Sequence, residues 1–552
     1  LGLAEGALIA FVPILVVLIL MVVYDMPAAK AMPIGWFVAV VLAAVFWKMP
    51  GVWIASATIK GMLTALKILL IVFGAVLLYY DMLESGAISM VTNAIMGLSR
   101  DRRVQASLGW LLVTFFEGAA GFGTPGAIVG PLLVGIGFPA MVAAPLVLIY
   151  DSTPVSFGCV GIPVWGGVGW TLNVPSVQQA LSAAGLDYTY WVNRMVGGWT
   201  GIIHAIIGTF LPLLALYYLI KWTKGTKEDF REAVPQALMA GLVFTVPYVL
   251  IATFIGAELP SLLGSLIGLG IFTWLLKSGK FNFSKPYEFK EEDEVHRELV
   301  KEEAKVKPQF GTFTAFLPYI LIALTLVLTR TVPFLKALVT KNWVIKWSHI
   351  LGTNTSFVMK VANNPGLYFV VIVLLSHLFF KMKGEQIRKA WGITSSKMVP
   401  VAVALGFAIS LSQVMILSGN NPAHIDSMLV MMAKGIASIT GKAYSLVAPF
   451  VGVLGAYMAG SNTVSDIMFS GFQFETATIL HIPRTIILAE QVVGGAVGNM
   501  ICVHNVVAVA ATVGIIGKEG AIIRRNLMPC VIYSVAAGLL GTLFILLMPN
   551  LF

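Results

Sequence analysis

The feature that most limits this chain is a series of long, unbroken apolar runs, of which Ile202–Ile220 and Tyr533–Met548 are examples. Within lipid, such a run has no water to meet its backbone N–H and C=O groups. It must therefore close its hydrogen bonds within itself, as a helix. About 20 mostly apolar residues cross a hydrocarbon core about 30 Å thick, and the runs here have that scale. Outer-membrane barrels read differently, as segments of about 10 residues with alternating polarity. Composition agrees with the helical reading. Of the 552 residues 58% are hydrophobic and only 11% are charged, and the mean hydropathy is +0.89. A soluble domain carries about a quarter charged residues. The chain reads as an all-α polytopic membrane protein placed in a prokaryotic plasma (inner) membrane.

Twelve spans are expected, at about 7–23, 32–47, 61–80, 139–161, 195–220, 236–256, 259–276, 312–330, 364–381, 398–417, 484–511 and 527–548. Two further apolar stretches, 104–138 and 443–474, are broken by Gly, Pro and polar residues and read as re-entrant hairpins or interrupted helices. The run at 7–23 lacks a basic leader and a small-residue cleavage site, so it reads as a span and not as a signal peptide. A net charge of +10 would raise nucleic acid for a soluble protein. Here it is ascribed to basic residues kept on cytoplasmic loops, and no nucleic-acid partner is expected. The basic clusters are Arg100, Arg102 and Arg103; Lys221, Lys224, Lys227 and Arg231; the mixed-charge loop 277–310; Lys381, Lys383, Arg388, Lys389 and Lys397; and Lys518, Arg524 and Arg525. With the N-terminus outside, all five fall in the cytoplasm. The loops at 166–194 and 331–363 fall outside, the latter despite Lys336, Lys341, Lys346 and Lys360. Cys159, Cys502 and Cys530 have neither zinc-type spacing nor a disulfide framework. No metal and no cofactor are expected.

The two broken stretches match. Gly121-Phe122-Gly123-Thr124 corresponds to Gly460-Ser461-Asn462-Thr463, and Val155-Ser156-Phe157-Gly158 corresponds to Gly495-Ala496-Val497-Gly498 at nearly the same shift. The flanking spans obey that shift approximately. Residues 1–220 then form one repeat, with five spans and the hairpin 104–138. Residues 221–310 supply two linking spans and the charged loop, with a short helix expected within 277–310. Residues 311–552 form a second repeat, with five spans and the hairpin 443–474. An odd number of spans separates the repeats, so the second is inverted in the membrane. Inverted repeats with broken helices near the midplane belong to transporters.

The polar residues inside these stretches are the candidate site. In the first hairpin, Gly121, Gly123 and Thr124 interrupt a helix. The freed amides of the next half-helix suit a carboxylate, although glycine also serves plain helix packing. Glu117 is an acid inside an apolar stretch, and such residues are functional hypotheses by default. It either takes up and releases a proton or accepts hydrogen bonds from hairpin amides. Asp151 is a second membrane acid, followed by Ser152, Thr153, Pro154 and Ser156. The matched region of the other half holds Glu490, Gln491, Asn499, His504 and Asn505. Ser461, Asn462 and Thr463 offer small polar groups to a substrate, or oxygen ligands to Na⁺. Asp466 joins them or caps its helix. The proton-coupling candidates are thus Glu117, Asp151, Glu490 and His504. The substrate-binding candidates are Gly121, Gly123, Thr124, Ser152, Thr153, Ser461, Asn462, Thr463 and Asn499. Lys67 lies inside a span and either snorkels or pairs with an acid. His204 and His377 read as packing residues.

Phe116-Glu117-Gly118-Ala119-Ala120-Gly121-Phe122-Gly123-Thr124-Pro125, followed by Ala144-Pro145-Leu146 and Asp151-Ser152-Thr153-Pro154-Val155-Ser156-Phe157-Gly158, closely resembles the L-lactate permease family, as does Gly460-Ser461-Asn462-Thr463. The resemblance runs along nearly the whole chain. It implies proton-coupled uptake of lactate and related 2-hydroxymonocarboxylates such as glycolate. It also implies kinship with the ion-transporter superfamily, two re-entrant hairpins and a possible homodimer. The expected partners are a small organic anion, a proton and the lipid bilayer. A sodium-coupled carrier of another small organic acid is the rival reading. No His-Glu-x-x-His, Gly-x-Ser-x-Gly with triad partners or phosphate-loop motif is found, so an enzyme is not expected.

Overall fold

The structure, a computed structural model, describes residues 2–24, 26–121, 124–281, 283, 285–289 and 310–552; nothing is said of the side chains of Val22, Thr124 and Ala127. The short helix expected in the charged loop falls largely on 290–309, outside the described residues. Every expected span coincides with a helix. Ten helices among the described residues are long and apolar enough to cross a membrane, and Ala140–Tyr150 with Val155–Gly169 forms a further span bent by 56°. Pro365–Phe379, where 364–381 was expected, is shorter at 15 residues. Both broken stretches fold as helix pairs. The first is Arg102–Ala119 with Thr124–Gly135, and the second is Ala448–Ala459 with Asn462–Leu480.

Two helices run well past the expected bounds of 61–80 and 398–417. Gly51–Glu84 and Gly384–Leu417 each have 34 residues, about 51 Å at 1.5 Å per residue. That exceeds a hydrocarbon core of about 30 Å, so they tilt or project from the bilayer. The first extends beyond both expected ends and carries Lys60 inside the fold, where its Nζ donates to the neutral Asn173 carbonyl at 2.8 Å. These two helices pack on each other more extensively than any other pair. Gly61 permits the contact, since a Cβ there would lie 2.6 Å from the Ser410 backbone nitrogen.

The packing is reciprocal between halves. Ala28–Val45 packs on Gly384–Leu417, while Gly51–Glu84 packs on Pro365–Phe379. Asn462–Leu480 packs on Pro163–Gly169, while Thr124–Gly135 packs on Val503–Thr512. Several elements were missed from sequence: the helices Ala87–Met96, Pro175–Ala183, Pro333–Lys341 and Met428–Thr440, and a small antiparallel hairpin of strands Val344–Trp347 and Phe357–Lys360. The hairpin lies within the loop 331–363 and places Lys346 and Lys360 on that sheet. The Ser56 hydroxyl is within 2.8 Å of Thr353 Oγ1, which fastens the loop to the long helix. Large side chains such as Leu8, Phe37, Leu66, Phe254, Trp274 and Leu374 stay exposed, as a lipid-facing surface requires.

The crossing of the long helices yields a stability test. Gly61→Val forces overpacking against backbone, which costs about 1–3 kcal/mol. We expect a lower melting temperature in detergent, followed by fluorescence-detected size exclusion. Gly51→Ala, where nothing stands within 4 Å of the added carbon, should leave the melting temperature unchanged.

Candidate functional site

Four interruptions of helix meet at one place. The first hairpin breaks after Ala119, where Gly121 adopts φ +64°. A Cβ at Gly121 would lie 2.9 Å from Cys159 Cβ, so glycine is required for both conformation and space. The second hairpin breaks at Gly460, φ +72°, followed by extended Ser461. The span 140–169 breaks after Tyr150 and re-forms through a left-handed turn, Cys159 (φ 44°), Val160 (φ 59°) and Gly161 (φ 76°). A β-branched residue in that region is a genuine outlier, and such strain persists only where the surroundings over-determine it. The span 484–512 breaks between Gly498 and Val503.

The freed carbonyls are met by named donors. Tyr248 donates to the Thr153 carbonyl at 3.0 Å and Ser261 to the Pro154 carbonyl at 2.7 Å. Asn526 donates to the Met500 carbonyl at 2.9 Å. In the second hairpin, Ser465 donates to the Gly452 carbonyl at 2.8 Å.

These breaks enclose a cavity of about 30 Å³, enough for a pair of waters. From the first half it is lined by Glu117, Gly121, Val155, Gly158, Cys159, Ile162 and Pro163. From the second half it is lined by Gly460, Ser461, Asn462, Thr463, Asn499 and Asn505. Both side-chain atoms of Asn462, Asn499 Oδ1 and Glu117 Oε2 are buried without a hydrogen-bond partner among the described residues. Buried polar atoms normally find partners, so this cluster is prepared for a polar guest. Asn462 and Thr463 open the helix 462–480, whose first amides carry partial positive charge. Among the described residues no Lys, Arg or His side chain lines the cavity. An anion there would be held by amides and hydroxyls.

Glu117 lines the cavity, and the Asp151 carboxyl lies next to it, behind the wall. They are 3% and 4% exposed, and no basic side chain forms an ion pair with either among the described residues. Two buried carboxylates without a cation repel when both are ionised, so the pair is suited to share one proton. Gly158 leaves the room that Glu117 Oε1 occupies.

The other expected site residues are distributed as follows. Ser461, Asn462, Thr463, Asn499 and Gly121 line the cavity with Glu117. Gly123 lies outside the described residues, and Thr124 begins its helix. Ser152 and Thr153 do not line the cavity. Ser152 donates to the Ile149 carbonyl at 2.8 Å. Thr153 turns to the Tyr533 hydroxyl at 3.2 Å, and Tyr533 in turn meets His204 Nδ1 at 2.6 Å. Glu490 sits away from the cavity, accepting from Ser445 at 2.7 Å beside Gly541. His504 is exposed and packs on Gly460. Asp466 does not cap its helix but accepts from Gln491 at 3.3 Å, one turn beyond the cavity. Val155, Cys159, Ile162 and Pro163 were not singled out from sequence, because a lining made of apolar side chains beside a helix break has no compositional mark. The described residues contain no group of three or more His, Cys, Asp or Glu side chains placed to hold a metal.

A substitution at Gly158 separates the acid pair from the rest of the site. Gly158→Ala places a methyl where Glu117 Oε1 stands. We expect transport to fall by about tenfold or more, the scale of a misplaced group, while expression and monodispersity stay normal. Initial uptake rates beside size-exclusion profiles check this.

The family profile described as L-lactate permease matches residues 6–548. A Haemophilus influenzae chain carrying an L-lactate permease name is 30% identical over 98% of both chains. The L-lactate permease of Salmonella typhimurium is 26% identical over 98% of this chain and 95% of its own. The glycolate permease GlcA of Escherichia coli K12 is 25% identical, over 98% of this chain and 96% of its own.

Proposed function

The chain belongs to the L-lactate permease family, a family of multi-pass bacterial plasma-membrane transporters and not of enzymes, and we propose that it carries L-lactate and related 2-hydroxymonocarboxylates such as glycolate in symport with a proton. The observation that supports the coupling is the buried pairing of two acids, Glu117 and Asp151, with no cation beside them among the described residues. The relatives named for lactate and glycolate support the substrate class.

The two parts fit one cycle. By analogy with side-chain carboxyls near pKa about 4, lactate is an anion at neutral pH. An inside-negative membrane opposes its entry by about 2.3 kcal/mol per 100 mV. A proton travelling on the carboxyl pair cancels the charge. Glu117 lines the cavity and Asp151 backs it, so proton and substrate meet at one residue. With the pair carrying its proton, only one negative charge remains there, and an incoming carboxylate meets less repulsion. Loss of the proton restores the second charge and repels the guest. The amides opening the helix 462–480, the Asn462 amide and the hydroxyls of Ser461 and Thr463 are the groups offered to the substrate carboxylate and 2-hydroxyl.

The same reading takes 1–220 and 311–552 as inverted repeats joined by 221–310. The reciprocal helix packing supports it, because each hairpin's second arm rests on the broken span of the other half. Sodium coupling is the competing reading, and the unpartnered Oδ2 of Asp466 is the oxygen it would use.

The test is uptake of radiolabelled L-lactate into proteoliposomes without sodium. A one-unit pH gradient, acid outside, should drive about tenfold accumulation for one proton per anion, since one unit is worth about 1.36 kcal/mol. Uptake should saturate, fall as the outside is made alkaline, yield to glycolate and vanish with a protonophore. Glu117→Gln or Asp151→Asn should abolish accumulation while lactate–lactate exchange persists. A requirement for sodium, with the gradient ineffective, would sink the proton reading and turn attention to Asp466.

A further inference from the structure

Three Lys or Arg side chains are buried among the described residues: Lys60, Lys67 and Arg103. Arg103 is paired with Asp101 at 2.7 Å and with Glu232 at 3.2 Å. Lys60 and Lys67 form no ion pair with any described acid. They lie seven residues apart on the helix Gly51–Glu84, two turns or about 10 Å along one face, a separation that two long lysine side chains can close. Lys60 has one neutral partner, the Asn173 carbonyl at 2.8 Å. Lys67 Nζ stands over the rings of Phe357 at 4.8 Å and Trp170 at 5.4 Å. Those π faces offset part of a charge but supply no anion. Buried charges are ordinarily paired, and two like charges on one helix face without an acid are the reverse of that rule.

The position is informative. The Glu84 end of this helix meets Lys389, in a basic cluster assigned to the cytoplasm. The lysines lie toward the other end, beneath the strand Phe357–Lys360 and the turn at 170–173. The segment leading to that turn also builds the cavity. Ile162 and Pro163 line it, Gly166 rests against Ile68, and Gly167 rests against Asp466 and Thr463. A single stretch of chain therefore joins the lysine pair to a cavity that contains no cation of its own.

We propose that Lys60 and Lys67 form a second, outer binding site that takes a small monocarboxylate before it reaches the cavity. The identity of that anion as lactate rests on the transport reading above. One carboxylate between the two ammonium groups relieves their repulsion and supplies the missing partner. The Trp170 and Phe357 rings shield Lys67 from water, which strengthens the attraction there. The cavity then receives its anion from a neighbouring site and not from bulk solution.

The test uses the full chain in proteoliposomes with L-lactate as probe. Lys60 and Lys67 are acylated by acetic anhydride and quantified by peptide mass spectrometry, with and without lactate, in the parent and in Asn462→Ala. The proposal expects lactate to protect both amines in both proteins, because Asn462 belongs to the cavity. Protection that disappears in Asn462→Ala means that the lysines only sense cavity occupancy, and absence of protection in either protein removes the site. In uptake assays, Lys60→Gln and Lys67→Gln should each raise the lactate KM about fivefold, hold Vmax within about twofold and flatten the dependence on ionic strength, whereas Lys67→Arg stays near the parent. Unchanged KM and salt dependence in both Gln variants overturn the proposal. If a variant fails to assemble, or the amines resist acylation, the other measurement decides. Formate is run beside lactate. Should formate protect the lysines while lactate is neither bound nor carried, the substrate reading fails and the anion site stands.

Discussion

A backbone in lipid cannot leave its N–H and C=O groups unmet, and every other feature of this molecule follows from that. Irregular chain is tolerated at membrane depth only where protein or a wet cavity encloses it. All four interruptions, two in the hairpins and two in the bent spans, accordingly converge on one enclosed point. The side chains that satisfy them come from distant elements: Tyr248 and Ser261 for the first bent span, Asn526 for the second. The unpartnered side-chain atoms of Asn462, Asn499 and Glu117 are the polar surface that the cavity offers. The site is thus a product of the same rule that makes the rest of the chain helical.

Glycine makes the convergence possible. At the second hairpin, an added carbon on Gly452 would lie 2.6 Å from the Gly495 nitrogen, and one on Gly494 would lie 2.7 Å from the Pro449 carbonyl carbon. Backbones at such range hold each other by van der Waals contact, the main attraction left to helices in lipid. Charge is distributed with similar economy. The acid pair lines or backs the cavity, the uncompensated lysines stand outside it, and the well-paired Arg103 is at the base of the first hairpin, where Phe283 and Tyr287 of the linking loop cover it.

Much of this was legible beforehand, and the misses have physical causes. Apolar run length located every span, because lipid thickness fixes it. It misjudged the ends of Gly51–Glu84 because run length marks the part of a helix that lies in lipid, whereas this helix continues past it at both ends. Glu117, Asp151, Asn462 and Asn499 stood out as polar residues in apolar surroundings, and the structure brings them to one locality. Ser152 and Thr153 stood out equally but face their own helix and Tyr533. A helix that breaks loses its regular rotation, so periodicity no longer says which way the next residue points. Cys159 and Val160, in left-handed conformations, carry no residue signature for that geometry; only the flanking Gly158 and Gly161 hint at it. The strands around Trp347 and Phe357 were hidden in a loop judged by its charge alone.

The loop between the helices Lys227–Phe254 and Pro260–Lys277 touches more of the machinery than its length suggests. Its Ala257 carbonyl carbon lies 2.8 Å from where a Gly161 side chain would begin, and the Ser261 carbonyl carbon lies 2.6 Å from the same point on Gly118. Ser261 also holds the Pro154 carbonyl, while Glu258 grips Arg330 at 2.5 Å. Backbone pressed on backbone cannot slide without separating. The first hairpin, the left-handed turn and this helix pair therefore behave as one casting, with its handle near Arg330 on the face opposite the basic loops. A displacement of any one of the three must carry the other two with it.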